Sequence, residues 1–348
     1  MKLDLNRDQL IKQLDDSSKI WDMVVIGGGA TGLGVAIDAA SRGYKTLLLE
    51  MSDFSKATSS RSTKLVHGGV RYLQRGDISL VMEALRERGL MRQNAPHLVS
   101  NQAFIVPNYE WWEGPFYGIG LKVYDMLARK LGLGPSKYLS REETLKRLPN
   151  VESDRLKGGV VYYDGQFDDS RMAINMMQTI VEQGGTPLNY MKVTGLSKAG
   201  EMINGVKAVD QETGKEYNIR SRVVINATGP FTDDILKMDD PNAPTRIVPG
   251  QGVHIVLDKE FLQGDTAVMV PHTSDGRVMF AVPWNGKVLV GTTDTEIDDI
   301  DLEPKPLEEE IDFILENAAN YLEKDTTRDE IKNAFSAIRP HVKATDPS

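Results

Sequence analysis

Residues 22–53 read DMVVIGGGATGLGVAIDAASRGYKTLLLEMSD. Met23 to Ile26 form a short apolar run of the kind buried on both faces of a parallel sheet. Gly27, Gly29 and Gly32 follow at G-x-G-x-x-G spacing, with Thr31 inside the turn. Ala36 to Ala40 continue as a small-residue helix, and a second apolar run, Thr46 to Leu49, closes on Glu50. Glycines let a backbone approach a pyrophosphate, a helix N-terminus favours its charge, and a terminal acid accepts from a ribose hydroxyl. Strand, turn, helix, strand and acid in that order, within about thirty residues, predict a dinucleotide-binding βαβ unit far more specifically than the glycines alone. The unit by itself does not separate NAD from FAD.

The rest of the 348-residue chain is long enough for two domains. Hydrophobic residues at 40% and charged ones at 26% describe a globular protein. A formal net charge of −9 argues against a nucleic-acid partner, and zero cysteines exclude disulfides, zinc-thiolate sites and thiol catalysis. The polar N-terminus carries no apolar core of signal-peptide length, and no 18 apolar residues run together. A cytoplasmic location fits these features.

Further along, Val81, Leu85 and Leu90 have helical spacing, and Ser140 with Glu143 makes a helix-start signal. Residues 111–132, WWEGPFYGIGLKVYDMLARKLG, combine aromatics with Lys122, Arg129 and Lys130. They suit either a membrane interface or a helix packed inside an insertion. A strand at 186–196 is followed by a β-meander, with turns expected at Asn204-Gly205 and Thr213-Gly214, and then by a buried strand running into Ala227-Thr228-Gly229. Asp275-Gly276 and Asn285-Gly286 are hairpin signals, and a helix is expected near Glu308 to Leu322. The fold expected is α/β: a Rossmann-like cofactor domain (18–98, 152–235 and 331–348) interrupted by an antiparallel-sheet substrate or cap domain (99–151 and 236–330). The acidic run DTEIDDIDLE reads as a solvated loop, and no metal site is assigned.

The most demanding stretch is ATSSRSTKLVHGGVRYL, residues 57–73. With VVIGGGATGLGVAIDAASRG, NATGPF, GTTDT and IRP in this order, the chain resembles the FAD-dependent glycerol-3-phosphate dehydrogenases and the α-glycerophosphate oxidases. The resemblance implies an FAD cofactor held by Gly27, Gly29, Thr31, Gly32, Glu50, Thr58, Ser59, Ser62, Val193, Thr228 and Gly229. It implies His67 at the reacting centre, as the base that removes a hydroxyl proton, in preference to His272. It also implies that Arg71 and Arg339 hold the phosphate of glycerol 3-phosphate, the product being dihydroxyacetone phosphate. Without the resemblance, His67 reads as a structural histidine and both arginines as salt-bridge partners. Lys64 is open between a flavin contact and a solvated lysine, and Tyr72 and Asp294 read as packing and turn-capping residues. Electrons are expected to go to membrane quinone, with the protein peripheral on the cytoplasmic membrane face, or to oxygen in an oxidase. A homodimer is compatible with the sequence.

Family members continue past the IRP segment into a helical C-terminal domain, so the expectation is a chain lacking that part. Three rivals stand beside this reading: a flavin amino-acid or hydroxy-acid oxidase, an NAD-linked dehydrogenase, and a non-catalytic FAD-binding fragment.

Overall fold

The run opening on Met23 becomes strand Ile20–Ile26 in a computed structural model that describes residues 5–74, 76–324 and 326–343, without the side chains of Arg71 and Gln74. Around it lies a six-stranded sheet in the order Thr186–Leu188, Thr46–Leu49, Ile20–Ile26, Glu216–Asn226, Met202–Asp210, Met191–Ala199. The first four strands pair in parallel and the last two join antiparallel, as the meander. Val24 and Ile26 pack against Leu47, Val193 and Ile235, while Val25 packs against Leu33, Leu48 and Ala173. Both faces are therefore apolar, which explains the unbroken apolar run. Helices Ala30–Ser41 and Asp169–Glu182 cover the second face, where burying Leu33 alone contributes about 1.5–3 kcal/mol.

The second sheet has ten strands among the described residues. Its central order is Ile247–Asp258, Lys287–Gly291, Met279–Trp284, Ala267–Val270, Val99–Asn108, Gly158–Phe167, Leu65–Val66. Thr295–Glu296 and Asn333–Val342 add to the first of these, and Lys137–Ser140 adds to Gly158–Phe167. All pairings are antiparallel except Ala267–Val270 with Val99–Asn108. Helix Glu308–Ala319 covers one face through Ile314 and Ala318, and helix Glu113–Ala128 covers the other through Tyr117, Leu121 and Tyr124. The architecture is the expected α/β fold with a second, antiparallel sheet.

Three local expectations fail. Strands Gly158–Phe167 and Asn333–Val342, assigned by sequence to the cofactor unit, each pair along their 10 residues with strands of the second sheet. No turn forms at Asn204-Gly205: strand Met202–Asp210 runs straight through it, and a Cβ at Gly205 would collide with the Ile219 carbonyl of the neighbouring strand. Finally, the strand expected over 186–196 breaks at Tyr190, whose φ is 52°. The Asn285-Gly286 turn forms as expected, with φ 47° and 75° joining two strands of the second sheet.

Candidate active site

Strand Ile20–Ile26 leads into Gly27, whose φ of 109° suits glycine. A Cβ on Gly27 would strike the Ala227 carbonyl, and one on Gly32 would strike the Gly27 carbonyl. Helix Ala30–Ser41 therefore starts tight against the strand end, with Ala30 and Thr31 on the wall of a cleft. The Ala30 N–H donates to Ser59 Oγ at 2.9 Å. Glu50 Oε2 accepts from the Gly28 N–H at 2.6 Å, and Oε1 from the Ser52 N–H at 2.7 Å. Burial pushes the Glu50 carboxyl above its ordinary range, against the pull of those amides.

The cleft encloses about 510 Å³. Gly27, Gly29, Thr31 and Glu50 line it from the βαβ unit, Thr58 and Ser59 from the hydroxyl-rich stretch, and Val193, Thr228 and Gly229 from the far side. Two expected residues do not line it. Gly32 sits below, as the contact that lets the helix approach. Ser62 turns away: its hydroxyl donates to Asp169 at 2.8 Å and its N–H at 3.2 Å. Thr58 does line the cleft, but its hydroxyl proton goes to the Ile338 carbonyl at 2.7 Å. Sequence reading missed Leu302, which also lines the cleft. Its neighbour Glu303 pairs with Lys56, and with Arg61 at 3.7 Å, so the acidic run is not wholly a solvated loop.

A second cavity of about 230 Å³ is lined by His67, Tyr72, Tyr162, Asp164, Phe280 and Arg339, among others. Arg339 Nη1 donates to the Thr293 carbonyl at 2.9 Å and to Asp294 at 3.0 Å, and Nη2 donates to Thr292 Oγ1 at 3.0 Å. Asp294 is thus an ion-pair partner of Arg339 and not a turn cap. Arg71 lies in helix Val70–Gln74, and its side chain is outside the described residues. His67 Nδ1 accepts the Gly69 N–H at 3.0 Å. A backbone amide can only donate, so the neutral ring carries its proton on Nε2.

Lys64 is neither solvated nor turned to the cleft: it pairs with Asp169 at 2.7 Å. His272 bonds the Tyr117 hydroxyl at 2.9 Å and does not line the His67 cavity. His254, not singled out from sequence, is buried with Nε2 at 2.8 Å from Thr63 Oγ1. Burial first, then the charges of Arg339 and Lys64, lower its pKa to about 3. The two cavities draw on the same two segments of chain. Thr58 and Ser59 line the first, Leu65 and His67 the second, and on strand Asn333–Val342 Arg339 lines the second while Pro340 lines the first.

Residues 22–348 match the family described as FAD dependent oxidoreductase. The chain belongs to that family. As an FAD dependent oxidoreductase it is 43% identical to the mitochondrial glycerol-3-phosphate dehydrogenase of Schizosaccharomyces pombe, over 99% of this chain and 55% of that protein. It is 43% identical to the human protein of the same name, over 98% of this chain and 49% of the relative. The chain therefore spans about half the length of the curated relatives it matches. The FAD-complexed glycerol-3-phosphate dehydrogenase from Bacillus halodurans superposes with a TM-score of 0.78 at 33% identity, covering 97% of this chain and 60% of the other. An L-α-glycerophosphate oxidase from Mycoplasma pneumoniae, at 17% identity and TM-score 0.73, covers 94% of this chain and 85% of its own and shares the fold.

The larger cleft fits the family cofactor. The helix start at Gly29, Ala30 and Thr31 lines it, a setting that suits a phosphate group, and each Glu50 oxygen keeps a lone pair for a further donor. No helix among the described residues is long and apolar enough to cross a membrane.

Proposed function

We propose that the protein oxidises sn-glycerol 3-phosphate to dihydroxyacetone phosphate. One observation carries this reading: an imidazole and a fixed guanidinium line a cavity built from the same two segments, 57–73 and Asn333–Val342, as the cofactor cleft. The names of the relatives at 43% identity support the choice of substrate. Bound FAD supplies the hydride acceptor for the alcohol carbon. Arg339 holds the phosphate. Its contacts within the described residues engage Nη1 twice and Nη2 once, which leaves Nε–H and one Nη2 proton for charge-assisted bonds to the phosphate. Arg71, by family resemblance, faces the same phosphate. His67 meets the substrate hydroxyl. In its neutral ring Nε2–H is a donor, so His67 takes a proton at Nε2 only after releasing Gly69.

Electrons then pass to a membrane quinone in this reading. Helix Glu113–Ala128 supports a surface contact: Phe116, Ile119, Val123 and Met126 stand exposed at helical spacing, with Trp112 just ahead of them. Lys122, Arg129 and Lys130 are exposed beside them.

The test is dye-coupled turnover of glycerol 3-phosphate by the FAD-loaded protein, with peroxide assayed to detect an oxidase. Arg339→Met should raise the apparent KM for glycerol 3-phosphate by about 10²-fold, the loss of two charge-assisted bonds, and leave unphosphorylated glycerol unaffected. Equal losses on both substrates would make Arg339 structural.

A further inference from the structure

Behind the His67 cavity runs a buried polar chain that reaches the cavity wall at Asp164. Gly68 N–H donates to the Tyr124 hydroxyl at 2.7 Å. That hydroxyl donates to Asp164 Oδ2 at 2.7 Å, and Asp164 Oδ1 accepts from Arg88 Nη1 at 2.7 Å. Every donor and acceptor direction here is forced, because the amide and the guanidinium only donate and the carboxylate only accepts. Arg88, Tyr124 and Asp164 are 1%, 1% and 2% exposed. They come from three elements: helix Ile78–Asn94, helix Glu113–Ala128 and strand Gly158–Phe167. Burial, then the Asp164 charge, holds the Tyr124 hydroxyl well above its usual range, so it stays a donor to Asp164.

Isolated buried charge is costly, and a pair such as Arg88–Asp164 adds little net stability over an apolar substitute. What the chain does deliver is a fixed position for one backbone amide, that of Gly68. The next amide, of Gly69, is the one that donates to His67 Nδ1. We propose that Tyr124, held by Asp164 and Arg88, is a positioning residue that fixes the Gly68–Gly69 backbone and thereby sets the tautomer His67 presents to substrate. Tyr124 lines neither of the two cavities. It acts through the loop, and it places the Nε2 proton of the neutral imidazole toward the cavity. The role rests on the reading of this cavity as the substrate site.

The experiment is Tyr124→Phe, which keeps the ring that packs edge-on against Tyr162 and removes only the hydroxyl. Histidine-selective nitrogen-15 spectra of the FAD-loaded parent should show His67 with a protonated Nε2 and a bare Nδ1. The variant should show the two tautomers mixed. Its KM for glycerol 3-phosphate should stay within about 3-fold, because the hydroxyl removed lines neither cavity. An inert filler would lower stability and leave the His67 nitrogen signals in place, and that result overturns the proposal. Should Tyr124→Phe fail to fold, Asp164→Asn must move the same signals in the same direction, and unmoved signals again overturn it. Because the nitrogen spectra need no turnover, a shifted tautomer in a protein inactive on glycerol 3-phosphate would sink the substrate assignment and sustain the positioning role.

Discussion

The two cavities are built from different materials. The cofactor cleft is made largely by backbone: glycine contacts, helix amides and one carboxylate whose oxygens are already engaged by Gly28 and Ser52. The smaller cavity is made by side chains, with an imidazole, a guanidinium and aromatic rings drawn from both helices and strands. The βαβ part of the backbone-built site is specified within one stretch of chain, and its substitutions act through fit. A site built from side chains depends on partners distant in sequence, and its substitutions act on chemistry. Mutations in the two places should therefore fail in different observables, binding in one and turnover in the other.

The largest expected effect tests the chemical side. His67→Ala should lower kcat on glycerol 3-phosphate by about 10²–10⁴ while FAD affinity stays unchanged. A variant that turns over like the parent would remove His67 from the reaction. Next comes the cleft: Glu50→Gln turns one backbone-facing acceptor into a donor and should weaken FAD binding about 10–100-fold in a flavin fluorescence titration. Affinity within about threefold of the parent would show that the ribose is held elsewhere.

A smaller effect concerns His254, which is bonded to Thr63 and feels the charge of Arg339. Its folded pKa of about 3 lies below the ordinary 6.5, so the unfolded chain takes up the proton first as pH falls. Stability contributed by the neutral ring is thus complete above pH 6.5 and is lost progressively down to about pH 3. Denaturation series between pH 7 and 5 should show a slope shallower in His254→Gln by up to ~1.4 kcal/mol per pH unit. Identical slopes would mean that His254 protonates in the folded protein. The smallest expected effect separates geometry from resemblance. Ser62→Ala should leave FAD affinity within about twofold, because its hydroxyl is bound to Asp169, and cost about 1 kcal/mol of stability. A large loss of FAD affinity would return Ser62 to the cofactor.

Legibility followed the same divide. The βαβ unit could be read because glycine spacing and apolar runs are local signals, and Thr46–Leu49 falls at the residues expected. The strands Gly158–Phe167 and Asn333–Val342 could not be allotted, since only pairing decides sheet membership. Gly205 looked like a turn residue because sequence does not distinguish a glycine needed for curvature from one needed for closeness. The Arg88 chain left a faint trace. Val81, Leu85 and Arg88 fall at helical spacing on one buried face, as do Tyr117, Leu121 and Tyr124. A charged residue on an apolar stripe announces a buried partner, but Asp164 lies far along the chain on a strand whose pattern gives no hint of it. Lys64 eluded both alternatives for the same reason, its partner Asp169 lying at the start of a distant helix.

Arg339 and Pro340 carry a constraint of register. They are consecutive on a strand whose side chains alternate between faces, and each serves a different cavity. Their alignment is set by pairing that runs from Ile247 opposite Val342 to Val256 opposite Asn333. Slipping that ladder by one residue would keep most of its hydrogen bonds, yet it would turn the guanidinium toward the cofactor side and leave the other chamber without its cation. Insertions or deletions of a single residue in 333–338 are therefore expected to be far more damaging than point substitutions there.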